Sequence, residues 1–196
     1  MKIIKFVSSL LHPIFWCLLI FGFEEPCYAV ATLICAVVHE IGHLAFAEKK
    51  KIRGVLSGFR IESSSMESYR QRILTYLGGP LANVLFFILC LALNPVFEGY
   101  FLLLGIFSLA TAASNLLPIE GYDGYGILLS IIEMCELDEK FYRLLSCISH
   151  AMILCLCMLS LYLIDRRGGG YWIFAIFFAL MIKGINRDIS NRFSRF

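Results

Sequence analysis

The chain has 196 residues, of which 59% are hydrophobic and only 16% are charged, and its mean hydropathy is +0.78. A soluble domain of this length cannot remove so much apolar surface from water, so the composition predicts a chain surrounded largely by lipid. The net charge of +2 and the lack of a basic patch with interleaved aromatic residues argue against a nucleic-acid partner.

The eight cysteines give no sign of a disulfide framework or of a cysteine-based zinc site. They lie mostly inside apolar runs, and none shows the paired C-x-x-C spacing of such a site. We expect small buried thiols packed between membrane helices.

Six apolar segments are long enough to be membrane-spanning helices, which need about 20 residues each. The predicted spans are Phe6–Phe23, Pro26–Ala47, Leu74–Leu93, Tyr100–Leu117 with a continuation to Met134, Leu144–Ile164, and Tyr171–Ile185. The expected fold is therefore an all-α polytopic membrane protein, with a single domain over residues 1–196.

The positive charges orient these spans. With the N-terminus in the cytoplasm, every Lys and Arg except Arg166 and Arg167 falls on the cytoplasmic side, as the positive-inside rule favours. Both termini are then cytoplasmic, and the fourth span crosses once, broken near Pro118–Gly124. An alternative reading of Met1–Ala29 as a cleavable signal peptide is disfavoured because the polar sequence Glu24–Pro26 interrupts it.

The segment Lys49–Gln71 is the only sizeable polar stretch. Within it, Val55–Glu62 contains a Ser-Gly pair and could form a small β-hairpin between the second and third spans. An unstructured loop is the open alternative.

The second span contains the motif H-E-x-x-H at His39, Glu40 and His43. Residues four apart lie on nearly the same face of a helix, so the two imidazoles can bind one metal ion. Glu40 is adjacent and suited to accept a proton from an attacking water. Ionisable groups inside an apolar helix are costly, which favours a functional role over a polar packing patch.

Two histidines leave a catalytic zinc site incomplete, because such sites use three protein ligands and one open position. His12 and His150 have no motif around them, and we expect them to be packed or interfacial. The acidic candidates are Glu120 and Asp123, in a stretch whose proline and glycines break a helix. Broken backbone at membrane depth is tolerated where it lines a cavity or is buried in protein.

The motifs together resemble the site-2 protease family of intramembrane zinc metalloproteases. His39–His43 is followed by N-x-x-P-x-x-x-x-D-G at Asn115–Gly124, and Gly79–Asn83 matches the family's G-x-x-x-N between them. The aspartate of the D-G pair is a zinc ligand in that family, so the resemblance implies Asp123 as the third ligand. Tyr122 stands where the family often has leucine, which leaves the ligand intact.

The resemblance implies hydrolysis of a peptide bond with one zinc ion, Glu40 as general base, and a catalytic core at about residues 26–135. Asn83 and Asn115 are candidates to position substrate or stabilise an oxyanion, with interhelical hydrogen bonding as the alternative. The family also suggests an edge strand that pairs with an extended substrate. The candidates for this strand are Val55, Leu56, Phe59 and Ile61.

The compact layout resembles the sporulation-type branch, which processes a membrane-associated transcription-factor precursor. That branch carries a nucleotide-sensing domain after its last span, but this sequence stops at Phe196, so we expect no C-terminal regulatory domain here and no PDZ-like insertion. The expected location is the plasma or inner membrane, with the active site towards the cytoplasm. The expected substrate is a transmembrane protein or membrane-bound peptide precursor, and a regulatory membrane partner is compatible with the sequence. The oligomeric state stays open.

Two other classes compete with a protease. A non-proteolytic scaffold could retain the metal, but it would not require Glu40. An ion transporter could use the same polar groups, but transporters usually show paired broken helices in two related halves. The sequence shows one break and no internal repeat.

Overall fold

The computed structural model describes residues 26–47, 52–55, 58–61, 68–96 and 99–167, and the isolated positions 174, 177, 178, 180 and 181. The described part contains five helices and one hairpin. In chain order these are α1 (Pro26–Phe46), β1 (Ile52–Val55), β2 (Gly58–Ile61), α2 (Tyr69–Leu93), α3 (Tyr100–Asn115), α4 (Asp123–Met134) and α5 (Glu139–Arg167). The first predicted span and most of the sixth lie outside these residues, so the number six stays a prediction.

Three helices are long and apolar enough to cross a membrane: Cys27–Phe46 in α1, Tyr69–Leu93 in α2 and Glu139–Arg166 in α5. They correspond to the second, third and fifth predicted spans. The helix α2 begins five residues before the predicted Leu74, because the side chain of Ser68 caps it by accepting from the backbone N–H of Gln71 at 3.3 Å. The prediction of a helical polytopic membrane protein is confirmed.

The distribution of side chains is that of a membrane protein. Large apolar side chains are strongly exposed, as at Leu85 (66%) and Met158 (68%). The interior instead holds many small or polar residues, such as Cys35, Ser130 and Ser149. Lipid replaces water as the solvent for the apolar exterior, while small and polar residues let helices approach and bond to each other. The described cysteines are unpaired. Cys35, Cys90 and Cys157 are buried as predicted, whereas Cys135, Cys147 and Cys155 are exposed, contrary to the prediction.

Two glycines bring α1 and α2 into backbone contact. A Cβ added at Gly42 would lie 2.3 Å from the carbonyl oxygen of Gly78, and one at Gly78 would lie 2.5 Å from the oxygen of Gly42. Any side chain at either position would force the helices apart. This close crossing holds the face of α1 that carries His39 and His43 against α2.

The predicted break in the fourth span is confirmed. The helix α3 ends at Asn115 and α4 begins at Asp123, with Gly121 at a φ of 96° in the intervening turn. A Cβ at Gly124 would lie 2.0 Å from the carbonyl oxygen of Leu116. The first turn of α4 therefore packs directly on the end of α3, and only glycine fits there.

The broken segment is buried against α5. Ile119 is completely buried and packs with Ile153 and Cys157 of that helix. The backbone N–H of Glu120 donates to the hydroxyl of Ser149 at 2.8 Å. Protein contacts thus satisfy part of the backbone that the break leaves without helical partners, as a membrane interior requires.

The helix α4 is also attached to α2. Gly126 faces the ring of Tyr76, which a Cβ at position 126 would approach to 2.5 Å. Near the other end of α4, Glu133 pairs with Arg72 at 2.5 Å. These contacts fix the start of α4, and with it Asp123, relative to the other helices.

The hairpin alternative for the polar segment is confirmed, with earlier bounds than predicted. The strands β1 and β2 are antiparallel, with Ile52 opposite Ile61 and Val55 opposite Gly58. The hairpin therefore begins at Ile52 and not at Val55. The residues Val55, Phe59 and Ile61 of the proposed edge strand lie on it, and Leu56 lies outside the described residues.

Candidate metal centre

Three side chains from two separate helices meet at one point. His39 and His43 project from α1, and Asp123 projects from the first residue of α4. Their ligand atoms all lie within 4.8 Å of one another, and among the described residues this group does not include Glu120. The structure therefore favours Asp123 over Glu120 as the third ligand.

The spacing of these atoms fits a tetrahedral zinc ion. The Nε2 atoms of His39 and His43 are 3.1 Å apart. The carboxylate of Asp123 lies 3.0 Å from His39 Nε2 and 3.4 Å from His43 Nε2. Ligands at about 2.1 Å from a tetrahedral zinc are about 3.4 Å from each other. The observed distances are equal to this spacing or a few tenths of an ångström shorter, so the ligand atoms would move slightly apart around the ion.

The carboxylate of Asp123 leaves an acceptor unsatisfied. Asp123 is buried, with 8% exposure. No group in the described part of the chain donates a hydrogen bond to its Oδ2 atom. The nearby His39 Nε2, at 3.0 Å, does not meet hydrogen-bond geometry with this atom. A buried acceptor without a donor costs about 1–3 kcal/mol, and a bound cation would remove that cost.

The ring of His43 has its metal-facing nitrogen available. Its Nδ1 lies 2.7 Å from the carbonyl oxygen of Thr75. A carbonyl oxygen only accepts, so Nδ1 carries the proton and Nε2 carries the lone pair. A backbone carbonyl behind a ligating histidine is a common way to fix its tautomer.

Behind His39 lies Asn83, which is completely buried. Its Nδ2 is 3.2 Å from Nδ1 of His39, the ring nitrogen that does not face Asp123. The hydroxyl of Ser108 on α3 lies 3.2 Å from Oδ1 and 2.9 Å from the carbonyl oxygen of Asn83. This geometry favours the interhelical hydrogen-bond alternative for Asn83 over direct contact with substrate.

Gly79 leaves open the space between the Nε2 atoms of His39 and His43. A Cβ at this position would lie 2.6 Å from His43 Nε2 and 2.7 Å from His39 Nε2. Gly42 allows the backbones of α1 and α2 to approach closely, whereas Gly79 faces the imidazole nitrogens themselves.

We expect Gly79→Ala to abolish metal binding, because its methyl group would occupy the space between the two imidazoles. Zinc content of the purified chain, measured by mass spectrometry, should fall at least about tenfold. The matched control is Gly105→Ala, whose methyl would lie nearest to the side chains of Cys90 and Phe87, at 3.1 Å. Normal zinc content in the Gly79 variant would show that the ion does not lie between these rings.

The remaining predicted site residues lie as follows. Glu40 follows His39 on α1 and is partly buried. Asn115, at the end of α3, donates through Nδ2 to the carbonyl oxygen of Thr111 within the same helix, at 3.0 Å. Its role towards substrate stays a prediction.

Sequence reasoning did not identify Thr75 or Ser108. Thr75 acts through its backbone carbonyl, which every residue possesses, so no sequence signal exists for it. Ser108 is a hydroxyl within an apolar span, and such residues more often bond within their own helix. The only sequence signal for Ser108 was its polarity within an otherwise apolar span.

The fold and the site define the class of protein: a helical membrane protein with a His-His-Asp cluster able to hold a metal. The structure is similar to that titled "Site-2 Protease from Methanocaldococcus jannaschii", with a TM-score of 0.65 and 16% sequence identity. The match covers 92% of this chain and 87% of that one. The chain therefore has the fold of a site-2 protease, as its motifs implied.

No protein-family model matches the sequence, and no curated protein matches it either. Assignment to the sporulation-type branch is therefore still a prediction. At this level of identity the structural similarity establishes the fold, and the chemistry must be argued from the residues of this chain.

Proposed function

We propose that the chain is an intramembrane zinc metalloprotease of the site-2 protease family, which hydrolyses a peptide bond in or near a transmembrane segment. One observation carries the proposal: the side chains of His39, His43 and Asp123, which belong to two separate helices, meet at one point. Their ring nitrogens and carboxylate oxygens are 3.0–3.4 Å apart. Neither the H-E-x-x-H helix nor the D-G turn provides three metal ligands by itself, and the fold brings the two together.

Zinc fits the donor set of two imidazoles and one carboxylate, and when bound it would activate water and polarise the scissile carbonyl. Glu40 accepts the proton of the attacking water and later returns it to the leaving amine. His39 and His43 remain neutral ligands. Asp123 supplies the negative charge that offsets part of the charge of the ion.

A substrate helix hides its peptide bonds in its own hydrogen bonds, so a segment must unwind before attack. The hairpin of β1 and β2 connects α1 to α2, the two helices that carry most of the site. An extended substrate strand could pair with an edge of this hairpin through backbone hydrogen bonds. Val55, Leu56, Phe59 and Ile61 are the proposed residues of that edge.

The positive-inside orientation puts the C-terminal end of α1 at the cytoplasmic face. His39 lies seven residues before Phe46, where α1 ends, so it lies about 10 Å along the helix from that face. Cleavage is therefore expected nearer the cytoplasmic side, and water would enter from there. A plasma or inner membrane location accords with this orientation.

A metal-binding scaffold without protease activity is the second candidate, and Glu40 next to the cluster speaks against it. The deciding experiment uses the full chain purified in detergent and single-pass reporter proteins whose transmembrane segments contain helix-destabilising residues. We expect about one zinc per chain, cleavage that a chelator abolishes, and recovery when zinc is added back. Zinc binding without cleavage of any reporter would support the scaffold, and absence of zinc would exclude both.

A further inference from the structure

We propose that Asn83, held by Ser108, is a positioning residue that accepts a hydrogen bond from His39 and so presents the lone pair of His39 Nε2 to the metal. The inference rests on the proposed function only in that a metal binds at the cluster. It assigns to Asn83 a role behind the ligand, in place of a role in contact with substrate.

The Ser108 hydroxyl has two possible acceptors on Asn83 but only one proton to donate. The Ser108 hydroxyl is 2.9 Å from the Asn83 carbonyl oxygen and 3.2 Å from Oδ1 of the same residue. A serine hydroxyl has one proton and two lone pairs. When that proton goes to the nearer carbonyl oxygen, the hydroxyl is best placed to accept from the Asn83 side chain.

The Asn83 carboxamide can donate to Ser108 if it rotates. Rotation by 180° about its last bond exchanges Oδ1 and Nδ2 with little change in shape. The amide nitrogen of Asn83 then donates to Ser108, and Oδ1 takes the place 3.2 Å from His39 that Nδ2 holds in the structure. His39 Nδ1 consequently carries the proton, and its Nε2 is left with a lone pair.

The two orientations correspond to two states of the site. With Nδ2 towards His39, the ring proton lies on Nε2, which is 3.1 Å from Nε2 of His43. Because Thr75 fixes a lone pair on that atom of His43, the two rings can form a hydrogen bond without metal. With Oδ1 towards His39, both Nε2 atoms bear lone pairs, and these require a cation between them.

Burial increases the expected effect of the Asn83–His39 hydrogen bond on metal affinity. Asn83 and Ser108 are both 0% exposed, so water cannot replace a partner that is removed. Hydrogen-bond partners behind a ligating histidine typically change metal affinity or activity by 10–100-fold when mutated. The network also joins three helices, because His39, Asn83 and Ser108 belong to α1, α2 and α3 respectively.

The test compares three variants of the full chain in detergent, with zinc affinity measured by chelator competition. Asn83→Asp keeps an acceptor for His39 and should bind zinc at least as tightly as the unchanged chain. Asn83→Leu, similar in size but without an acceptor, should bind about 10–100-fold more weakly. Ser108→Ala should bind a few-fold to about tenfold more weakly, because it removes only the partner of the carboxamide.

The visible absorption spectrum of the cobalt-substituted protein supplies a readout independent of activity and of overall stability. Asn83→Asp should keep the spectrum of a tetrahedral site, and Asn83→Leu should change its position and intensity. The matched control is Ser130→Ala, another completely buried serine, whose hydroxyl donates to the Gly126 carbonyl within α4 at 2.7 Å. It should change neither measurement.

Three results would overturn the proposal. They are an unchanged zinc affinity in Asn83→Leu, an Asn83→Asp variant as weak as the leucine variant, and an effect of Ser130→Ala as large as that of Ser108→Ala. If Asn83→Leu does not fold, the aspartate and alanine variants still decide the question. Failure of the unchanged chain to bind zinc would instead refute the proposed function itself.

Discussion

Glu40→Gln is expected to lower the rate of peptide cleavage by about 10²–10⁴-fold, the usual contribution of a general acid–base residue. Glutamine has nearly the same shape but cannot accept a proton at neutral pH. His39, His43 and Asp123 remain unchanged, so the zinc content should stay near one ion per chain. The measurement is cleavage of a membrane reporter in detergent, with zinc determined on the same sample.

The matched control for this substitution is Glu139→Gln. Glu139 is exposed at the start of α5 and pairs with Arg143 one helical turn away, an arrangement that contributes little to stability. This variant should cleave the reporter at the normal rate. Full activity in the Glu40 variant would refute the assigned mechanism, even if the metal site were correct.

Asp123→Asn is expected to weaken both zinc binding and cleavage. The amide removes a negative charge from the buried site that we propose holds a divalent cation, and it presents only one oxygen. Loss of a direct ligand should exceed the effect of removing a supporting hydrogen bond, so we expect more than about 100-fold lower zinc affinity. Chelator competition on the purified full chain measures this directly.

Glu120→Gln separates the two acidic candidates that the sequence left open. It makes the same chemical change three residues earlier, in the segment between α3 and α4. Among the described residues, Glu120 is not part of the cluster that could hold a metal, and its backbone N–H is bonded to Ser149. We expect normal zinc affinity. If Glu120→Gln lowered the zinc affinity and Asp123→Asn left it unchanged, Glu120 would replace Asp123 as the assigned ligand.

The spacing of a few residues was enough to indicate the chemistry. Residues four apart share one helix face, so His39 and His43 were predictable as a pair, with Glu40 beside them. The apolar length of each segment predicted α1, α2 and α5, because a spanning helix must satisfy its backbone within itself. The break before Asp123 was also predictable, since proline and glycine disrupt helices wherever they occur.

Local patterns could not show which residues support the site. Asn83 belonged to a recognisable motif, yet its contact with the back of His39 depends on how α1 crosses α2. That crossing is set by Gly42 and Gly78, whose backbones touch. Thr75 contributes only a carbonyl oxygen, and Ser108 reaches the site from a third helix.

The sequence by itself determined the membrane class, the H-E-x-x-H helix and the candidates for a third ligand, because these depend on composition and helical periodicity. Only the tertiary structure decided that Asp123 meets the two imidazoles, that Gly79 keeps the space between them open, and that Asn83 lies behind His39. The physical reason is that these facts depend on distances between helices. Close backbone packing and the folding of α4 onto α2 and α3 set those distances, and neither leaves a periodic signal in the chain.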